Sequence, residues 1–262
     1  MTRSAGGRAA QSSAAQPSAA QPSGAQPNAA SGAIAVKTLA LTVASRHGDA
    51  SVVVEQDTER AVTGQVVLAG HAPRPAFLLA LTHGAGGGVD APDLLAVRDV
   101  AVALGGAVAR VAQPYLLRGA RAPGSAVRQD EAWVDVIAAL REQCGGPGIP
   151  FLQGGRSNGA RLACRTARYV GADAVIALAF PLHPPGRPER SRRSELLAAG
   201  VPVLAVSGGS DPFGIPDSAD VAHLVVLAGQ GHTLAKRPAA VGTAVSHWLG
   251  QWLSRSAYAA DD

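Results

Sequence analysis

The chain has 262 residues, 47 % of them apolar and 4 % aromatic, with 23 Lys and Arg against 19 Asp and Glu. That is enough apolar material for one large α/β domain, with Leu, Val and Ala rather than rings filling the core. Four basic residues (Arg3, Arg8, Lys37 and Arg46) precede the first acid, Asp49, so the body carries 19 charges of each sign, which argues against a nucleic-acid footprint spread over the fold.

Residues 1–33 are rich in Ala, Gln, Pro, Ser and Gly, and Gln-Pro recurs at 16–17, 21–22 and 26–27. Such a segment buries too little apolar surface to offset chain entropy, so a disordered tail is expected there, ahead of one domain over 34–262. The stretches 37–43, 51–56 and 64–70 read as strands joined by turns, forming antiparallel edge strands. An apolar strand in 76–88 runs into the glycine loop "THGAGGG" (82–88). The pattern then alternates. A helix is expected over 93–106, a strand over 107–114, an amphipathic helix over 130–146 and a strand over 149–155. A helix over 158–171, a strand over 172–180 and a short helix within 190–200 follow. Strands over 201–209 and 223–229 and a closing helix over 236–257 complete the chain. Apolar strands alternating with helices imply a parallel sheet covered on both faces, with function at the C-terminal ends of its strands.

Four loops there carry candidate chemistry. In "GGRSNGARLA" (154–163), Ser157 lies between a strand and a helix, flanked by Gly155 and Gly159. A nucleophile on such a turn is exposed above the sheet, and neighbours without side chains relieve the crowding. The bland alternative is a helix N-cap with packing glycines. A serine hydroxyl needs a base, and His232, in "AGQGHTL", follows the last strand in a glycine-rich loop. The other histidines, 47, 71, 83, 183, 223 and 247, are less well placed. Asp211, in "SGGSDPFG", follows the strand 201–207 and can hold an imidazole in one tautomer; Asp217 and Asp220 are weaker substitutes. The loop 82–88 offers backbone N–H donors for an oxyanion, with Asn158 and Ala85 as first choice and Gly86 as second. As a phosphate loop it lacks both the Gly-Lys-Ser/Thr ending and a dinucleotide fingerprint.

The order glycine loop, Ser157, Asp211, His232 is the stronger signal, because each follows its own strand in the Ser…Asp…His succession of one hydrolase architecture. Residues of about 50–255 resemble the α/β-hydrolase superfamily in its small dienelactone-hydrolase-like branch. "LTHGAGGG", "GGRSNGARLA", "PLHPPGRP" and "SGGSDPFG" resemble bacterial relatives of the testis-expressed and histone-acetyltransferase-complex hydrolase-like proteins. The resemblance implies an α/β-hydrolase fold with Ser157, Asp211 and His232 as the triad, although dienelactone hydrolases use a cysteine where this chain has serine. Only about twenty residues separate Phe180 from Val201, so no cap domain fits. A small ester or thioester is the expected substrate. Arg156 and His183 are candidates for substrate contact. Arg118, Arg121, Arg187, Arg190, Arg192 and Arg193 could recognise an anionic group or form a solvated, ion-paired surface. Trp248 and Trp252, i and i+4 on the last helix, read as packing residues. The alternative to an enzyme is a catalytically idle binding module that docks partners on the basic loop 186–193.

Cys144 and Cys164 make neither a disulfide framework nor a metal-type spacing, and no metal or cofactor is expected. With no run of 18 apolar residues and no compact apolar leader, neither a membrane span nor a secretory signal is read, and a cytoplasmic protein is the default expectation.

Overall fold

The structure is a computed structural model that describes residues 36–57, 74–146 and 148–258. The expected tail, the expected strand over 64–70 and His71 lie outside the described residues. Among the described residues, eight strands form one sheet in the order β1-β2-β4-β3-β5-β6-β7-β8. They are β1 (Val36–Val43), β2 (Ala50–Asp57), β3 (Leu78–Thr82), β4 (Ala107–Ala112), β5 (Phe151–Arg156), β6 (Ala174–Leu178), β7 (Val203–Gly208) and β8 (His223–Leu227). β1 pairs antiparallel with β2, and β2 antiparallel with β4. Every other pairing is parallel, as the buried, unbroken apolar runs of β3 and β6 require.

Alternation along the central strands sends side chains to two separate cores. On one face Leu78, Ala80, Phe151 and Val175 pack with α3 (Ala126–Leu140), α4 (Asn158–Val170) and α5 (Arg193–Leu197). On the other, Leu79, Leu81, Leu152 and Ile176 pack with α1 (Pro92–Ala103) and α6 (Pro238–Tyr258). Trp248 belongs to the second core, with Trp252 stacked on it at 6.4 Å between ring centroids. Between β6 and β7 the chain holds only the five-residue α5, and no cap domain is found among the described residues.

The helix boundaries depart from the sequence pattern where capping decides them. α3 begins at Ala126, four residues ahead of expectation, because the Ser125 hydroxyl accepts from the Arg128 N–H at 3.3 Å. It ends at Leu140, and a single π-helical turn, Arg141–Gly145, replaces its expected last turn. The short helix α2 (Pro114–Leu117) follows β4, with its proline in the first turn where no N–H is needed.

Candidate active site

Ser157 stands between β5 and α4 with φ 54° and ψ −111°. A β-carbon at such a φ is strained, at a cost on the order of 1–3 kcal/mol, so the surroundings must over-determine it. They do so through backbone. The Ser157 N–H donates to the Leu178 carbonyl at 2.9 Å, and the Ser157 carbonyl accepts from the Arg161 N–H at 3.1 Å. The flanking glycines have no room for anything larger. A β-carbon on Gly155 would lie 2.5 Å from the Thr82 carbonyl oxygen, and one on Gly159 would lie 2.7 Å from that same atom. Ser157 occupies the N-cap position of α4, yet its side chain makes no capping bond. Its hydroxyl points elsewhere, so the helix-cap alternative does not describe it.

The hydroxyl is 2.8 Å from His232 Nε2, and His232 Nδ1 is 2.8 Å from Asp211 Oδ2. Because the carboxylate only accepts, Nδ1 carries the proton and Nε2 accepts from the Ser157 hydroxyl. The second oxygen of Asp211 accepts from the Phe213 N–H at 2.9 Å. The Asp211 side chain is fully buried. Three segments separated by up to 75 residues thus meet above the C-terminal ends of β5, β7 and β8.

The competing residues are engaged elsewhere. Asp217 caps a 3₁₀ turn through the Ala219 N–H, and Asp220 pairs with Arg193. His47 faces Glu131, and His247 faces Gln251. His83 is buried behind the glycine loop. Its Nε2 accepts from the Gln113 N–H at 3.1 Å, and its Nδ1 donates to the Gly84 carbonyl at 2.9 Å. Burial holds its pKa below the ordinary histidine value, partly opposed by the Gly84 bond. The imidazole therefore acts as a neutral strut between β4 and the loop. Cys164 is fully buried and its thiol is pushed up to about 12, which makes it inert as a nucleophile.

Around Ser157, Asn158 opens α4, so its N–H is among those that a helix leaves without an internal partner. Its side-chain amide donates to Gln129 Oε1 at 2.7 Å. Ala85 sits in an exposed turn closed by the Gly87 N–H on the Gly84 carbonyl at 3.1 Å, and Gly86 within it has φ +68°. The loop abuts the nucleophile, since a β-carbon on Gly84 would lie 3.3 Å from Ser157 Cβ. Ala85 and Asn158 therefore lie in the two segments that flank the hydroxyl.

Arg156 runs beneath this loop. Its Nε is 3.8 Å from Oδ2 of the fully buried Asp93, and its terminal nitrogen occupies the space a β-carbon of Gly87 would need. Burial raises the Asp93 pKa, with Arg156 opposing the rise. His183 lies against the turn that follows Asp211. Its Nδ1 donates to the Pro184 carbonyl, and its ring packs on Gly214. In the basic loop, Arg193 is bidentate to Asp220 and Arg192 donates to the Pro181 carbonyl, which uses up two of the four arginines of the expected docking surface. Arg118 donates to the His47 carbonyl and, with Arg128, borders a cavity of about 430 Å³ floored by Val111, Tyr115 and Trp133. That cavity shares Gln129 with the Ser157 elbow.

Three contributors escaped the sequence reading: Phe213, Gln129 and Asp93. Each is one unremarkable residue in a loop or helix start, and only its neighbour in space gives it meaning. Asp93 alone left a trace, as an acid in the first turn of a helix behind Pro92.

Among the described residues no helix is long and apolar enough to cross a membrane. No curated protein matches the chain. Among solved structures it is similar to a lidless α/β serine hydrolase from Xanthomonas campestris, with a TM-score of 0.61 at 18 % identity over 82 % of this chain and 95 % of that one. It is similar to Est1E from Butyrivibrio proteoclasticus, with a TM-score of 0.62 at 15 % identity over 82 % and 99 %. It is also similar to a dienelactone hydrolase from Anabaena variabilis, with a TM-score of 0.60 at 18 % identity over 84 % and 98 %. At these identities the likeness is one of fold. The sequence pattern of the alpha/beta hydrolase domain matches residues 75–237, more than half of the 262, and the chain belongs to that family.

Proposed function

We propose that the protein is a serine hydrolase that cleaves a small ester or thioester through an acyl-enzyme on Ser157. The observation that carries this reading is the unbroken chain of contacts Ser157–His232–Asp211, at 2.8 Å each, on a backbone turn strained at the serine. His232 Nε2 takes the hydroxyl proton as Ser157 Oγ attacks the acyl carbonyl. Asp211 keeps the imidazole in the accepting tautomer and faces the imidazolium that forms. The N–H groups of Asn158 and Ala85, with Gly86 as the alternative to Ala85, receive the negative charge on the carbonyl oxygen, a role typically worth about 2.7–4 kcal/mol per donor. The imidazolium then gives its proton to the leaving oxygen or sulfur. Water, deprotonated by His232, releases the acid and restores the serine.

Substrate size follows from the lack of a cap. With only the short α5 inserted between β6 and β7, the site suits a small acyl or leaving group better than a long lipid. Structural neighbours that include a Pyrobaculum calidifontis esterase and a dienelactone hydrolase favour the same class of reaction. Arg156, adjacent to Ser157 in sequence, and His183 are the candidates for substrate contact.

Labelling with a fluorophosphonate probe tests the proposal. The wild type takes up the probe and Ser157→Ala does not. Labelling that survives the substitution rejects Ser157 as the nucleophile, and a wild type that never labels favours the idle binding module.

A further inference from the structure

We infer that Phe213 is a positioning residue of this site: it orients Asp211 and His232 together, and the face of its ring stabilises the imidazole when it becomes charged. The inference rests on the reading of Ser157, His232 and Asp211 proposed above.

The imidazole and the carboxylate of a triad each turn on side-chain bonds, and both must hold still for the proton to pass along one line. His232 sits in the irregular segment 228–237, where no helix or strand constrains it. Phe213 meets both rotors. Its backbone N–H donates to Asp211 Oδ1 at 2.9 Å, which leaves only Oδ2 facing the imidazole. Its ring lies 4.1 Å from the His232 ring between centroids, tilted by 31°. That separation and tilt put the negative face of the phenyl ring against the imidazole, the arrangement in which a cation is attracted.

The neighbouring strand loop holds Phe213 in place. The Gly214 N–H closes a turn onto the Asp211 carbonyl at 3.2 Å, and the His183 N–H donates to the Phe213 carbonyl at 3.0 Å. Gly214 has φ +82°, and a β-carbon there would lie 2.5 Å from His183 Nε2. His183 is therefore a brace that fixes the turn aiming Phe213.

The consequence for rate is specific. The imidazole is neutral when substrate binds and positive at the transition state, so the ring's attraction is stronger in the second state. Losing it lowers the maximal rate and leaves substrate affinity alone. At a partly exposed site the attraction corresponds to about a two- to five-fold effect.

Phe213→Leu keeps the backbone N–H and an apolar cover but removes the ring, while Phe213→Tyr keeps the ring. Both are compared with the wild type by the maximal rate and half-saturating concentration of fluorophosphonate labelling, by kcat and KM for p-nitrophenyl acetate, and by melting temperature. The expected result is a maximal rate about two- to five-fold lower in Phe213→Leu, with half-saturation and melting temperature unchanged, and recovery in Phe213→Tyr. A Phe213→Leu protein as fast as the wild type overturns the inference. So does a loss confined to half-saturation, or one equally large in Phe213→Tyr. Ser157-dependent labelling in the wild type separates these outcomes from failure of the triad reading, because a wild type without it rejects the nucleophile, and Phe213's role with it.

Discussion

Asp211→Asn probes the site most sharply, because the structure dictates which way the amide must face. Asp211 Oδ1 accepts the Phe213 N–H, a backbone donor that cannot be reversed. The asparagine oxygen therefore stays on that side, and its NH₂ turns toward His232 Nδ1. Two donors cannot share that contact, so the imidazole shifts its proton to Nε2 and donates to Ser157 Oγ where it formerly accepted. The base is lost without any change of shape. Flipping the amide restores the tautomer but sets its NH₂ against the Phe213 N–H in a fully buried pocket, which costs about 1–3 kcal/mol. The flipped form also lacks the charge-assisted bond to the imidazolium, worth a further ~1.5–3 kcal/mol. Together these predict a loss of kcat of about 10²- to 10⁴-fold, the upper end being the scale known for a wrong-tautomer triad. Steady-state hydrolysis of p-nitrophenyl acetate and the rate of fluorophosphonate labelling both read it out, with circular dichroism confirming the fold. A loss below tenfold in a folded protein would refute the reasoning, since the carboxylate would then not be the partner of His232.

Four further outcomes are expected. Gly155→Ala should lower stability by about 1–3 kcal/mol and slow labelling of Ser157, because its β-carbon meets two backbone segments at 2.5 and 2.8 Å. The same substitution at Gly250 on α6, with open space around it, should stabilise the fold by the helix-propensity difference of about 0.8–1.0 kcal/mol, read as a higher thermal midpoint. Gln153→Leu should cost about 1–3 kcal/mol in a denaturant titration, because it strips the partner at 2.7 Å from the buried indole N–H of Trp133. His83 is held below the ordinary value by burial, so the unfolded chain binds its proton first as pH falls. Stability should therefore decline as pH drops through about 6.5 toward the lowered value, and His83→Asn should flatten that slope in urea titrations at stepped pH.

The linear order of residues was enough to specify the alternation of apolar strands with helices, because period-2 and period-3.6 patterns are local properties of the chain. It was likewise enough to nominate Ser157, Asp211 and His232, since each follows an apolar strand and the glycines announce where backbone must come close. The helix starts were less legible: Ser125 set one through a single capping contact, and Pro114 set another by taking a first-turn position that needs no N–H. Only the folded sheet could bring the imidazole within 2.8 Å of a hydroxyl 75 residues away, choose Asp211 over Asp217 and Asp220, and lay Phe213 on His232. Those decisions depend on which strand ends stand next to one another. Spacing along the chain does not encode that adjacency; the parallel register of β5, β6, β7 and β8 does.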